Sequence, residues 1–173
     1  KHTGIQVTLH AMYWGEAQKE MLMGKHQVID TIFHTPERAR MYNFSKPYAD
    51  LPVPIFFHKD LGGITDAESL QGFSVGVKRG DACIEFLRGH QIEYFVEFDS
   101  YEEIIQAAAE EKIRVFVVDG PPAHYYLNKY RIADRFKMSA PLYVGQFHRA
   151  VAKGQRELLE QIEGGFADIS EAE

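Results

Sequence analysis

The chain has 173 residues, which allows one compact domain or two small lobes, because domains commonly contain roughly 100 to 200 residues. Apolar residues make up 45% of it and charged residues 25%, so the chain can bury a core and is not intrinsically disordered. Its formal charge of -6 has the wrong sign for binding a phosphate backbone, which argues against nucleic acid as a partner. The single cysteine, Cys83, cannot form an internal disulfide or a zinc knuckle.

Neither a membrane helix nor a signal peptide is evident. No uninterrupted apolar run reaches the ~20 residues that a spanning helix needs, and residues 1–6 lack the basic-then-apolar order of a signal peptide. We therefore expect a soluble piece of a longer protein, with any membrane attachment made through segments outside this chain.

The first third of the chain predicts a strand followed by a helix. Residues 5–9 are expected to form the strand. Trp14, Ala17 and Met21 then recur at helical spacing, and Gly24 follows where a glycine commonly ends a helix.

A second predicted strand, residues 27–33, leads into a helix start. Thr35 can cap this helix, Pro36 suits its first position and Glu37 favours its first turn. Such a start presents backbone N–H groups and a positive dipole end, and Arg38 adds a planar two-point donor for a carboxylate. Thr35 and Arg38 therefore form a candidate anion site. The alternative is an ordinary helix start with a solvated arginine.

The middle of the chain alternates strands with helices. The predicted elements are, in order, a strand over residues 73–77, a helix capped by Asp81 and closed by Gly89, a strand over 92–98, a helix opened by the capping box of Ser100 and Glu103, a strand over 115–118 and a helix over 124–130. This alternation predicts an α/β fold with a parallel sheet covered by helices.

Two extended segments join the predicted lobes. Residues 51–58 contain two prolines in an apolar stretch, which favours a crossover strand over a helix, and residues 143–152 form a matching stretch near the end. We predict that residues 1–57 with 147–173 form lobe 1 and that residues 58–146 form lobe 2.

The ends of the predicted strands carry the remaining candidate site residues, because ligands of such sheets bind beyond the carboxyl ends of the strands. Asp119 follows the strand over 115–118 and could hold an ammonium group, although an aspartate that starts a turn or caps a helix fits equally well. Gly80 and Asp81 form a second, weaker anion site, for which a plain helix cap is the alternative.

Two patterns in the sequence resemble catalytic motifs but lack the context that the chemistry needs. Residues 72–76 match Gly-x-Ser-x-Gly, but Ser74 lies inside a predicted strand instead of on the turn that a nucleophile elbow requires. The eight histidines show no metal-ligand spacing. We therefore predict no catalytic residue, no metal site and no cofactor.

Several segments together resemble the bacterial extracellular solute-binding proteins of family 3, which have the type II periplasmic-binding-protein fold. They are Gly24-Lys25, Thr35-Pro36-Glu37-Arg38, Phe44-Ser45-Lys46-Pro47-Tyr48, residues 70–77, residues 102–109, Val118-Asp119 and residues 147–153. The sequences of residues 78–84 and 145–151 also resemble those of the sensor domains of bacterial histidine kinases and diguanylate cyclases.

This resemblance implies a hinged, two-lobed binder of a small amino acid or carboxylate in the cleft between the lobes. Arg38 would hold the carboxylate, Thr35 would support it and Asp119 would hold the amine. The remaining implied site residues are Phe33, Gly80, Asp81 and Ala82.

The sequence departs from the family pattern in two places. Phe33 and His34 stand where relatives that bind polar amino acids carry small or hydroxylated residues, which alters the amine side of the pocket. Phe33, Phe56 and Phe57 suggest an apolar lining, and therefore an apolar amino acid as the ligand, or a simple carboxylate if Asp119 turns away. The chain also begins at what looks like the second strand of the fold, without the usual first strand and helix.

The function that the resemblance implies is that of an extracytoplasmic ligand-binding sensor domain in a bacterial receptor tethered to the inner membrane. One alternative is a free periplasmic amino-acid-binding protein of an ABC transporter, and another is a dehydratase on the same fold. The ligand, the output domain and homodimer formation stay open at this point.

Overall fold

The computed structural model describes residues 4–167. Over this range the helices are α1 (Trp14–Leu22), α2 (Ala82–Gly89), α3 (Tyr101–Ala109), α4 (Gly120–Lys129) and α5 (Arg156–Ala167). The strands are β1 (Val28–Phe33), β2 (Tyr42–Phe44), β3 (Ala49–His58), β4 (Val75–Lys78), β5 (Phe95–Phe98), β6 (Val115–Val117) and β7 (Phe136–Ala152). Short 3-10 helices occur at Arg38–Arg40, Glu68–Leu70 and Ala133–Arg135.

These elements divide into two compact units. Of the described residues, 4–50 and 146–167 form unit 1, and 51–145 form unit 2. The boundaries fall inside β3 and β7, so each of these two strands contributes to both units.

Unit 1 is built around the end of β7. β1 and β2 both pair with β7 in antiparallel register, with Val28 opposite Val151 and Tyr42 opposite Ala152. α1 presents an apolar face toward this sheet because its large apolar residues recur at helical spacing. The core of the unit consists of Met21, Ile29, Ile32, Tyr42 and Ala150.

Strand β1 contains a β-bulge between Ile29 and Ile32, where its pairing register with β7 shifts. Thr31 in this bulge has a φ of 57°, which is unusual for a β-branched residue. The Asp30 carboxylate accepts a hydrogen bond from the Thr31 N–H at 2.7 Å, which stabilises the distorted backbone.

Unit 2 contains the parallel part of the sheet. β4 lies between β5 and β6 and runs parallel to both, while β3 pairs antiparallel with β6. The core residues of this unit come from the strands, from α3 and α4 and from the segments that join them; they are Phe56, Ile104, Ile105, Ala107, Ala108, Ile113, Phe116, Val118, Ala123, Leu127 and Ile132. The alternation of strands and helices predicted for this part of the chain is therefore confirmed.

Two predicted elements of unit 1 are wrong. Residues 5–9 do not form a strand, and Leu9 is 91% exposed, so this segment lacks the burial that its apolar residues predicted. The helix predicted to start at Thr35 is a single turn ending in the 3-10 helix Arg38–Arg40, because β2 begins at Tyr42 and leaves no room for a longer helix.

No helix within residues 4–167 combines the length and the apolar character that a membrane crossing requires.

Candidate functional site

Arg38 lies in unit 1, directly after β1, and its side chain is buried, with 6% of the residue exposed. Its Nη1 donates a hydrogen bond to the carbonyl of Phe33 at 2.9 Å. Its guanidinium also lies 5.5 Å from the centre of the Trp14 ring. The guanidinium is therefore held in position by the main chain of β1 and by an aromatic face.

Thr35 supports Arg38 through the backbone. The Thr35 Oγ1 accepts a hydrogen bond from the Arg38 N–H at 3.2 Å, and the Thr35 carbonyl accepts one from the Ala39 N–H at 2.9 Å. The threonine thus caps a tight turn instead of a helix, and this turn sets the direction in which Arg38 leaves the chain.

Phe33 contributes to the site through its carbonyl group. Its ring packs against the ring of Phe147 at a centroid distance of 5.2 Å, and the residue is buried. Its carbonyl holds the Arg38 guanidinium. Unit 1 therefore brings Phe33, Thr35 and Arg38 into contact, and the sequence did not indicate a role for the Phe33 main chain.

Asp119 lies in unit 2, between β6 and α4, with 6% of the residue exposed. It occupies the N-cap position of α4, but its side chain forms no capping hydrogen bond. Its Oδ2 instead accepts a hydrogen bond from the Tyr101 hydroxyl at 2.7 Å. The alternative in which this carboxylate caps the helix is therefore wrong.

Asp81 is the N-cap of α2, where its Oδ1 accepts a hydrogen bond from the Cys83 N–H at 3.1 Å. Its Oδ2 lies 3.2 Å from Lys78 Nζ and 3.0 Å from the Tyr101 hydroxyl oxygen. The predicted helix cap is confirmed, and the same carboxylate also forms part of a polar cluster.

Gly80 and Ala82 flank Asp81. Gly80 has a φ of +68°, which a glycine adopts without a steric penalty, and the turn places the Asp81 N–H 3.0 Å from the Lys78 carbonyl. Ala82 is the first residue of α2 and is buried. Unit 2 therefore groups Gly80, Asp81 and Ala82 at the end of β4, next to the residues around Asp119.

Sequence reasoning missed one member of this polar cluster, Tyr101. Tyr101 is the first residue of α3, and the Lys78 Nζ lies 3.7 Å from the centre of its ring. Burial, followed by the nearby Asp81 and Asp119 carboxylates, raises the pKa of Tyr101 well above its ordinary value, so its hydroxyl keeps its proton. The available signal was the position of Tyr101 directly after the helix cap Ser100.

We refer to Lys78, Asp81, Tyr101 and Asp119 as the acidic cluster of unit 2. It carries two carboxylates and one ammonium group, so its formal charge favours a bound cation. Cys83 lies beside it, and burial raises the pKa of this thiol well above its ordinary value. The thiol therefore stays protonated and is a poor nucleophile.

Phe56 does not line a ligand site. It is buried in the core of unit 2, where its ring stacks on Phe116 at a centroid distance of 5.3 Å. A cavity of about 460 Å³ in unit 1 lies beside α5, next to His34, Asn43 and Arg156, and none of the predicted site residues lines it. Within residues 4–167 no group of three His, Cys, Asp or Glu side chains is arranged to hold a metal ion.

The sequence matches the model of the bacterial extracellular solute-binding proteins, family 3, over residues 1–173. The chain belongs to this family, and the predicted type II periplasmic-binding-protein fold is confirmed.

Among curated proteins, the chain is 25% identical over 153 residues to the virulence sensor protein BvgS of Bordetella bronchiseptica. This match covers 87% of the chain but only 12% of that sensor protein.

Two solved structures show the same fold. One is a crystal structure of a histidine kinase sensor domain with similarity to periplasmic binding proteins, with a TM-score of 0.86 and 23% identity; the match covers 95% of this chain and 73% of that one. The other is an ancestral arginine-binding protein bound to arginine, with a TM-score of 0.83 and 25% identity, covering 95% of this chain and 75% of that one.

Proposed function

We propose that this chain is the extracytoplasmic ligand-binding domain of a bacterial signal-transduction receptor, of the histidine kinase or diguanylate cyclase type, and that it binds a small amino acid or carboxylate. The observation that carries the proposal is the buried Arg38 guanidinium of unit 1, which suits a ligand carboxylate. In unit 2 the buried Asp119 carboxylate suits a ligand ammonium group. The similarity to the sensor protein BvgS supports the receptor assignment.

In this proposal Arg38 binds the ligand carboxylate with two parallel N–H donors. Thr35 and the carbonyl of Phe33 fix the guanidinium, and Asp119 accepts hydrogen bonds from the ligand ammonium group. Gly80, Asp81 and Ala82 form the turn beside Asp119. The proposal does not specify the side chain of the ligand, because Phe56 packs in the core of unit 2 and gives no support for an apolar pocket.

A free periplasmic binding protein of a transporter is the second candidate. It would use the same residues, and the similarity to an arginine-binding protein supports it. The complete gene separates the two candidates, because a receptor gene encodes a membrane-spanning segment and an output domain after residue 173. The receptor proposal includes tethering to the inner membrane through segments outside residues 1–173 and formation of a homodimer.

A thermal-shift screen of the twenty amino acids and of simple organic acids tests the proposal. A ligand at a hundred times its Kd stabilises the folded state by about 2.7 kcal/mol, which raises the Tm of a protein of this size by about 5 to 11 °C. We expect such a shift from at least one amino acid. No shift from any compound at 10 mM, about a hundred times a Kd of 0.1 mM, would contradict binding of this ligand class.

A further inference from the structure

The Tyr101 hydroxyl lies between the two carboxylates of the acidic cluster. Its oxygen is 2.7 Å from Asp119 Oδ2 and 3.0 Å from Asp81 Oδ2. The three residues stand at the starts of three different helices, because Asp81 precedes α2, Tyr101 begins α3 and Asp119 precedes α4.

A phenol carries one hydrogen, so Tyr101 cannot donate a full hydrogen bond to both carboxylates. The shorter contact is to Asp119. Asp81 already accepts a hydrogen bond from the Cys83 N–H and pairs with Lys78. We therefore assign the Tyr101 hydrogen to Asp119.

The sequence after Asp119 removes the donors that would otherwise bind its side chain. An N-cap aspartate normally accepts a hydrogen bond from the N–H of the second or third helical residue. In α4 these residues are Pro121 and Pro122, which have no N–H group. These two positions therefore cannot donate to the Asp119 carboxylate, whereas the Tyr101 hydroxyl donates to it from α3.

We propose that Tyr101 is a positioning residue for ligand binding: its hydroxyl holds the Asp119 carboxylate in the orientation that accepts a ligand ammonium group. The proposal rests on the proposed function and extends it to a residue outside the turn and strand ends that carry the other site residues. Pro121 and Pro122 contribute because neither offers an N–H group to the Asp119 carboxylate.

The test compares Tyr101→Phe with the wild-type protein in calorimetric titrations. The probes are three amino acids and their deaminated counterparts: L-valine with 3-methylbutanoate, L-glutamate with glutarate, and L-arginine with 5-guanidinopentanoate. The matched control is Tyr130→Phe, because the Tyr130 hydroxyl donates to the Glu102 carboxylate at 2.7 Å in the same unit, away from Asp119. Thermal unfolding of each variant establishes that it is folded.

We expect Tyr101→Phe to weaken binding of the amino acid about tenfold or more, since a hydrogen bond to a charged group contributes at least that factor. Binding of the deaminated acid should be unchanged, because it has no ammonium group to place on Asp119. Tyr130→Phe should bind both compounds as the wild type does. If Tyr101 had only a structural role, Tyr101→Phe would weaken binding of the amino acid and of its deaminated counterpart equally.

A second variant keeps the test decisive if Tyr101→Phe does not fold. Replacing both Pro121 and Pro122 with alanine restores two N–H groups at the start of α4, which should draw Asp119 away from Tyr101 and weaken amino acid binding selectively. Unchanged amino acid affinity in either folded variant, or equal losses for both members of a probe pair, would overturn the role of Tyr101. If the wild-type protein binds none of these probes and no compound in the thermal-shift screen, the proposed function itself fails.

Discussion

Arg38 is a buried cation whose position is set by short-range contacts with Phe33 and Thr35. Removing one partner of a buried, hydrogen-bonded charge pair weakens binding strongly, in large part because the other charge is left buried and unpaired. We expect Arg38→Ala to reduce the binding free energy of the amino acid found in the screen by about 2 to 5 kcal/mol, as measured by calorimetric titration.

The control for this prediction is Arg40→Ala, which removes an exposed arginine from the same 3-10 helix. It should leave both the affinity and the fold unchanged. If Arg38→Ala is folded and binds with wild-type affinity, the ligand carboxylate is bound elsewhere.

The stability of unit 1 depends on pH through the hydroxyl group of Tyr48. Its hydroxyl donates to Asp30 Oδ1 at 2.6 Å, and burial, followed by the Asp30 carboxylate, raises the pKa of Tyr48 to about 12. The unfolded chain loses this proton near pH 10, whereas the folded protein retains it. The stabilisation is therefore fully present below pH 10 and is lost as the pH rises from about 10 to about 12.

We expect the Tm of the wild-type protein to fall more steeply above pH 10 than that of Tyr48→Phe. Thermal unfolding at pH 9, 10 and 11 measures the difference between the two proteins. Tyr125→Phe serves as the control, because the Tyr125 ring is exposed on α4. Superimposable pH profiles for the wild type and Tyr48→Phe would contradict the prediction.

At the scale of single elements, α3 is stabilised by a cap that can be tested directly. Ser100 Oγ accepts a hydrogen bond from the Glu103 N–H at 3.1 Å, as the capping-box spacing predicts. The Glu103 carboxylate bonds the N–H of Asp99 at 3.0 Å, one residue earlier than the capping box requires. Ser100→Ala should lower the free energy of unfolding in urea by about 1 kcal/mol.

Ser74→Ala is the matched control for the cap, since Ser74 is exposed and precedes β4. It should change the unfolding free energy little. An equal effect of the two substitutions would mean that the Ser100 cap does not stabilise α3.

Strand β4 depends on a close approach that only glycine allows. A Cβ at Gly76 would lie 2.5 Å from Ile113 Cδ1 and 3.2 Å from Phe116 Cβ. The Ile113 side chain can move, but Phe116 is in the fully packed core. We expect Gly76→Ala to lower the free energy of unfolding by about 1 to 3 kcal/mol, the usual cost of overpacking a core.

Gly89→Ala is the control for this substitution. Gly89 is the last residue of α2, and a Cβ there meets no atom within 4 Å. Because alanine favours a helix over glycine, this variant should be neutral or slightly more stable than the wild type. A Gly76→Ala protein as stable as Gly89→Ala would show that β4 tolerates the extra carbon.

At the scale of the whole molecule, the two units differ in how the chain builds them. Unit 2 is one continuous segment, residues 51–145, with its own core, whereas unit 1 is assembled from both ends of the chain. We expect a fragment of residues 51–145 to fold alone and to unfold cooperatively, as measured by circular dichroism during heating.

A fragment of residues 1–50 provides the comparison. It lacks β7, with which both β1 and β2 pair, and it lacks the core residue Ala150. This fragment should therefore show no cooperative transition. A non-cooperative fragment of residues 51–145 would mean that unit 2 needs unit 1 in order to fold.

The sequence by itself determined the features that depend on nearby residues. The helix caps at Asp81 and Ser100 were predictable because each bond joins residues two or three positions apart. The alternation of strands and helices over unit 2 was predictable because periodicity reports which face is buried. Arg38 and Asp119 were predicted to be site residues from these patterns together with the family resemblance, and their burial is what the structure adds.

Only the tertiary structure decided the features that need partners far along the chain. Residues 5–9 have a strand-like composition but form no strand and are exposed, because composition does not decide which apolar segments the fold buries. The turn at Thr35 could not grow into a helix, because β2 must begin at Tyr42 to pair with β7. Tyr101 joins Asp81 and Asp119, which lie 20 and 18 residues away, and no local pattern reports a contact made across that separation.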